Sequence, residues 1–320
     1  MNILFRMGIG FLIGCIASLI FGHWFIPMLR RLKAGQSIRE EGPQSHLSKA
    51  GTPTIGGIMF LAALPVGLLL AKNFNYQTAI LCISLYGYAL VGFIDDYIKV
   101  INKRNLGFRA WQKLLAQIAI SILVIFMISS SESLSTGILL PGTDRLLHLG
   151  ILLIPFVVFV VVGTVNSVNL TDGLDGLSSS VTIVVMLFFA LVSYKMDRNE
   201  VALFCVILAG ALIGFYHYNK YPAQVFMGDT GSLALGGAVV AVAFLLNLPL
   251  ILPLAGGIYF IETLSVILQV ASFKLRGKRI FLMSPIHHHF EQKGHTEKQI
   301  VRMFVIVEII LCAISYWILF

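Results

Sequence analysis

Apolar stretches about 20 residues long recur along this chain, near 7–27, 54–71, 78–97, 113–129, 148–167, 177–194, 200–217, 231–248, 252–272 and 300–320. A hydrocarbon layer about 30 Å thick takes about 20 helical residues to cross, and only helices and closed barrels satisfy their backbone inside it. The pattern predicts an all-α polytopic membrane protein with about ten transmembrane helices. Of its 320 residues, 58% are hydrophobic and 12% charged, against about 25% charged in a soluble domain. No polar stretch is long enough to bury a core of its own, so 1–320 reads as a single membrane-embedded domain. The first apolar run lacks a small-residue cleavage site and is read as a spanning helix rather than a signal peptide.

Ten crossings put both termini on one side. Eighteen of the 23 Lys and Arg then fall in or beside the loops 28–53, 98–113, 168–176, 218–230 and 273–299, and five fall on the other side. Such an excess predicts that these loops are cytoplasmic, with both termini and the polar segment 130–147 outside. The net charge of +8 is then a topological bias and calls for no nucleic acid partner. Cys15, Cys82, Cys205 and Cys312 lie in apolar stretches without a CxxC. They read as small buried residues rather than metal ligands or a disulfide framework.

The aspartates give the first chemical signal. Asp95 and Asp96 end the third apolar stretch, in GFIDDYIKV; Asp172 and Asp175 occupy the turn of NSVNLTDGLDGLS; Asp229 opens the eighth stretch, in FMGDTGS. The Lys and Arg counts place all five at the same face. A single carboxylate at the lipid boundary is explained by a helix cap or a lysine; five from three segments point to a polar site. Adjacent Asp95 and Asp96 repel each other, which a cation or a shared proton relieves. Clustered carboxylate oxygens suit Mg²⁺, which uses one or two protein carboxylates together with substrate phosphates.

GDTGS and DGLDGLS surround Asp with glycine just before an apolar run. These are helix N-termini, whose free N–H groups and dipole favour phosphate. Ordinary N-capping accounts for one Asp or Ser per helix but not for the glycines and the paired aspartates. Asn166, Asn169 and Asp172 follow at spacings of three and share a broad helix face. Glu262, Ser265 and Gln269 form a second polar stripe, which either joins helices or lines a cavity. Glu308 reads as an interhelical contact. The segment FKLRGKRIFLMSPIHHHFEQKG carries three histidines; soft ligands are absent nearby, and the cations just upstream make phosphate or sugar recognition the better reading than zinc.

Five ordered segments, SKAGTPTIGG at 48–57, FIDDYIKV at 93–100, NSVNLTDGLDGL at 166–177, FMGDTGSLALGG at 226–237 and SPIHHHFEQKG at 284–294, resemble the polyprenyl-phosphate N-acetylhexosamine-1-phosphate transferase superfamily. The resemblance covers essentially the whole chain. HHHFE is similar to the muropeptide-transferring branch rather than to relatives that use UDP-GlcNAc. The resemblance implies that UDP-N-acetylmuramoyl-pentapeptide gives its phospho-sugar to undecaprenyl phosphate and releases UMP. That step belongs to peptidoglycan synthesis at the bacterial cytoplasmic (inner) membrane, and so to cell wall biogenesis, cell shape and division. It also implies Mg²⁺ at Asp229 and catalytic roles for Asp95, Asp96 and Asp229, with the adjacent pair near the lipid phosphate and one of them a proposed base. Asn169, Asp172, Gly173, Leu174, Asp175, Phe226 and Gln269 are implied in nucleotide binding. Asn166, Asn219, His287, His288 and His289, with Lys49, Thr52 and Lys113, complete the expected substrate-binding set. Membrane lipid and a second copy, as a homodimer, are the remaining expected partners.

Other classes explain less. A transporter or flippase shares the helices, but transporter sites lie near the midplane at broken helices, whereas these aspartates gather at one face. An intramembrane metalloprotease of the HExxH type is excluded by the absence of that motif.

Overall fold

The computed structural model describes residues 2–32, 49, 51–102, 107–131 and 134–320. Lys33, Arg39, Lys103 and Arg104, which enter the charge balance, and positions 48 and 50 of the first motif lie outside the described residues. The helices are α1 (Ile3–Arg31), α2 (Ile58–Leu70), α3 (Tyr76–Asn102), α4 (Ala110–Ser129), α5 (Leu153–Thr171), α6 (Leu177–Lys195), α7 (Asn199–Asn219), α8 (Gly228–Leu245), α9 (Leu252–Ala255), α10 (Gly257–Arg276), α11 (Ile286–Gln292) and α12 (Glu297–Leu319). Two short strands, β1 (Ile138–Leu139) and β2 (Leu146–Leu147), pair antiparallel between α4 and α5.

Among the described residues, nine helices are long and apolar enough to cross a membrane. The tenth expected span is the 13-residue α2, about 20 Å long at 1.5 Å per residue. Its helix is cut short because residues 53–57 are committed elsewhere. Phe226 N donates to Pro53 O at 2.8 Å, Gly56 N to Phe226 O at 2.9 Å and Gly57 N to Met227 O at 2.9 Å. Two irregular buried segments thus satisfy each other's backbone, as an apolar setting requires.

The packing explains the sequence pattern of α1. Its buried face carries Gly10, Gly14, Ser18 and Gly22 at every fourth position, small residues that let two backbones approach, and it lies against α7. Large side chains occupy the outward face. The centre of the bundle is α7 and α8, most of whose residues are buried. Helix α8 packs between α3 and α5. Ser84 Oγ of α3 donates to Gly237 O at 2.8 Å, and Tyr88 OH to Gln117 O of α4 at 2.9 Å. Such interhelical bonds are worth about 0.6 kcal/mol each in a membrane bundle. This sandwich holds the ends of α3, α5 and α8 together at one face. Glu308 of α12 accepts from Ile258 N at 2.9 Å, the interhelical contact expected of it, and the four cysteines are free.

Candidate active site

Helix α3 continues past its expected end at 97 to Asn102, so Asp95 and Asp96 sit about two turns inside it. Helix α8 begins at Gly228, with Asp229 in its first turn. Packing α3 on α8 brings one oxygen of each of Asp95, Asp96 and Asp229 within 4.8 Å of the others. Buried Asp96 accepts from Asp229 N at 3.2 Å, Thr230 N at 2.9 Å and Thr230 Oγ1 at 2.7 Å. It caps the start of α8 from another helix and satisfies N–H groups that a helix start leaves free. Gly228, at φ +72°, turns the chain beneath it without a Cβ.

Asp95 and Asp229 face the lysines. Asp95 Oδ1 accepts from Phe108 N at 2.6 Å, and its Oδ2 lies 2.6 Å from Lys99 Nζ. Lys99 Nζ and Lys113 Nζ both lie 2.9 Å from Asp229 Oδ2. Asn169 Nδ2 donates to Asp229 Oδ1 at 2.8 Å and to Ser232 Oγ at 2.7 Å. Three carboxylates and two ammonium groups from α3, α4 and α8 thus share one polar centre. Its oxygens are a hard donor set suited to Mg²⁺, and its ammonium groups suit phosphate.

A second cluster surrounds the turn between α5 and α6. Lys49 Nζ lies 2.8 Å from both Asp175 Oδ1 and Glu297 Oε2. Glu297 Oε2 also accepts from Asp175 N at 3.2 Å, and Asp175 Oδ2 from Ala223 N at 2.9 Å. Burial disfavours the Lys49 charge, but the hydrogen bonds and charges of Asp175 and Glu297 outweigh it and hold its pKa above the ordinary lysine value. Asp172 N donates to Asn169 O at 3.2 Å, while its carboxylate makes no hydrogen bond to a described residue. Its pKa is pushed well up, first by burial and then by the charges of Asp229, Asp96 and Asp175. Both clusters act on it, so it lies electrostatically between them.

The histidine segment forms α11. Buried His287 places Nδ1 3.0 Å from Glu262 Oε1 of α10. Its Nε2 has no partner among the described residues and meets Gly173, where a Cβ would collide with the ring. His288 Nδ1 lies 2.6 Å from Glu291 Oε2. His289 Nδ1 accepts from Leu282 N at 3.1 Å, and its pKa is lowered by burial and by the Lys293 charge. Each imidazole has a different partner, so the three do not converge as a zinc set; the one cluster with metal-ligand spacing among the described residues is the aspartate trio.

Several expected site residues are bonded to the chain itself. Asn219 uses both ends of its amide, accepting from Ser179 Oγ at 2.7 Å and donating to Val225 O at 3.0 Å. Gln269 binds the backbone of Ile280 and Phe281, so it joins α10 to the segment that follows. Phe226 pairs with Pro53 as above, Thr52 N donates to Lys49 O at 3.1 Å, and Leu174 is buried. Asn166 donates to Gln117 Oε1 at 2.9 Å. The two line a recess of about 240 Å³ with Ala110, Lys113 and Leu114. Sequence reasoning missed Lys99, Gln117, Thr230 and Glu297 as members of these networks. Lys99 stands four residues after Asp95, a spacing that marks a helical ion pair; the others gave no local signal.

Residues 78–247 match the family described as glycosyl transferase family 4. The chain is 49% identical over 306 residues to the phospho-N-acetylmuramoyl-pentapeptide-transferase of Clostridium novyi (strain NT), covering 95% of this chain and 94% of that protein. It is 50% identical over 299 residues to the enzyme of that name from Heliobacterium modesticaldum, covering 93% of each. It is 50% identical over 315 residues to that of Alkaliphilus metalliredigens, covering 95% of each. The chain belongs to the phospho-N-acetylmuramoyl-pentapeptide-transferase family. The stretch 78–247 runs from α3 to α8 and so contains Asp95, Asp96, Asn169 and Asp229, while the similarity to these relatives extends well beyond it.

Proposed function

We propose that this transferase moves phospho-N-acetylmuramoyl-pentapeptide from its UDP-linked donor to undecaprenyl phosphate, giving the lipid-linked diphosphate sugar and UMP. The observation that carries the reading is the joining of Asp95, Asp229, Lys99 and Lys113 at one end of a bundle that matches these transferases along nearly its whole length. One substrate is soluble and the other lipid-borne, which requires a polar site at a membrane face. The Lys and Arg excess assigns that face to the cytoplasm, where the nucleotide is made.

An oxygen of the lipid phosphate attacks the β-phosphorus of the donor. The P–O bond to the α-phosphate breaks, and UMP leaves with its electron pair. A phosphate monoester is already anionic near neutral pH, so direct attack needs little help from a base. Asp229, with Asp95, would hold Mg²⁺, which supplies charge neutralisation to the two phosphate groups. Asp96 is committed to the start of α8 and keeps Asp229 in place. Lys99 and Lys113 change partners from carboxylate to phosphate when substrates enter. Asp172, with Gly173 and the His287–Glu262 pair behind it, faces the nucleotide side, and Lys49 and Glu297 fix the turn that presents it.

The test is an exchange assay with purified protein, a polyprenyl phosphate and three UDP-sugars. UMP is released from UDP-N-acetylmuramoyl-pentapeptide, in a Mg²⁺-dependent manner and without an ion gradient, and UDP-GlcNAc is left untouched. Preference for UDP-GlcNAc would move the chain to a sibling activity.

A further inference from the structure

The end of α10 and the segment after it present an unusual surface. Every residue from Phe273 to Ile280 is exposed. Four of them are the cations Lys274, Arg276, Lys278 and Arg279, and none forms an ion pair with a described residue. Interleaved with them are Phe273, Leu275, Ile280 and Leu282, which are 57%, 82%, 54% and 51% exposed.

A basic helix end has an ordinary explanation, because Lys274 and Arg276 oppose the dipole of the last turn. That account stops at Gly277, where the chain leaves the helix at φ +65°; Lys278 and Arg279 lie beyond it. Nor is the segment loose. Gln269 Oε1 accepts from Ile280 N at 2.9 Å and Phe281 N at 3.0 Å, and its Nε2 donates to Phe281 O at 3.0 Å. Ser272 Oγ donates to Lys278 O at 2.9 Å, and Arg279 Nη1 to Leu282 O at 3.4 Å. The chain is folded back on α10 and pinned, so cations and large apolar side chains share one fixed surface.

Water alone gives four large apolar side chains no reason to be there. Hydrocarbon alone gives four cations none. The boundary between them accommodates both: apolar side chains enter the acyl region and cations meet headgroup phosphates. We propose that residues 273–282 form a docking surface for anionic phospholipid headgroups. The proposal rests on the membrane-spanning arrangement and not on the transfer reaction. Its consequence for the site is positional, because buried Gln269 anchors this segment and the chain continues from it into α11.

Spin-labelled phosphatidylglycerol and phosphatidylcholine are compared at the full-length protein in phosphatidylcholine nanodiscs, by the fraction of each lipid held at the protein. The intact protein prefers the anionic lipid about threefold or more, in keeping with the attraction of each basic residue near an anionic surface, and added salt reduces the preference. K274Q/R276Q/K278Q/R279Q loses at least about half of it, and K274R/K278R keeps it. Where the fourfold variant does not fold, K278Q/R279Q, which lies beyond the helix, reads the same effect in smaller measure. An unchanged preference in a folded neutral variant overturns the proposal. So does a variant with unchanged lipid preference and a raised KM for the UDP-linked donor, which would assign the cations to a soluble diphosphate. UMP release in neutral-lipid nanodiscs reports separately on the transfer reaction.

Discussion

Gly173 and His287 touch so closely that the imidazole occupies the place of a side chain at position 173. The ring is held from behind by Glu262 at 3.0 Å, so it cannot retreat along its own axis. Gly173→Ala therefore displaces the ring or the turn, and turnover falls at least about tenfold, within what a misplacement of about 1 Å costs. In a double-mutant cycle, adding Gly173→Ala to His287→Ala costs little more than His287→Ala alone. Independent, additive losses would show that the contact is incidental.

Asp229→Asn keeps the shape and removes the charge shared by Lys99 and Lys113. Turnover should drop by at least about 100-fold, the scale of losing one preorganised electrostatic group, and higher Mg²⁺ should restore only part of it. Normal turnover with unchanged Mg²⁺ dependence would transfer the metal assignment to Asp95, Asp96, Asp172 and Asp175.

Glu297 joins Lys49 to the backbone of Asp175 from the first turn of α12. Glu297→Gln loses one charge-assisted contact and loosens the turn. The KM for the UDP-linked donor should rise about fivefold, equivalent to about 1 kcal/mol, while kcat changes little. A kcat loss with KM unchanged would place Glu297 in the chemistry instead.

Asp172 has a pKa raised by folding. As pH falls through that raised value, the folded state takes up a proton that the unfolded state, titrating lower, does not yet bind. Stability in detergent therefore rises as pH falls between the folded and unfolded values, and is lost again as pH rises. Asp172→Asn removes this component, so its thermal midpoint depends less on pH across that window. An identical pH dependence in the variant and the parent would exclude the assigned cause.

Thr143→Cys, in the exposed connection between β1 and β2, should react with an impermeant thiol reagent from outside intact cells. Lys278→Cys should react only after the membrane is opened. The reverse pattern would separate the aspartates from the nucleotide supply.

The spanning helices and the aspartates were legible in the sequence because each has a local cause. Hydropathy over about 20 residues reports a span, and Asp beside Gly at the start of an apolar run reports a polar helix end. Roles within the site were less legible because they depend on distant partners. Nothing near Asp96 announces that it caps a helix 133 residues away, and nothing near Glu297 announces the turn at Asp175. Asn219 and Gln269 have the residue type of ligand-binding amides, yet their hydrogen bonds go to the chain itself. The shortness of α2 was hidden for the same reason. Its hydropathy extends to 54, but the backbone there belongs to a partner segment.

That partnership sets an order for biogenesis. Gly56 and Gly57 find their acceptors at Phe226 and Met227, 170 residues later on the ribosome. At about 5 to 20 residues per second, the short hydrophobic helix waits about 10 to 30 s beside the translocon with backbone donors that lipid cannot satisfy. A bundle assembled this way cannot be completed helix by helix. The native start of α2 is completed only once the last third of the chain has been made.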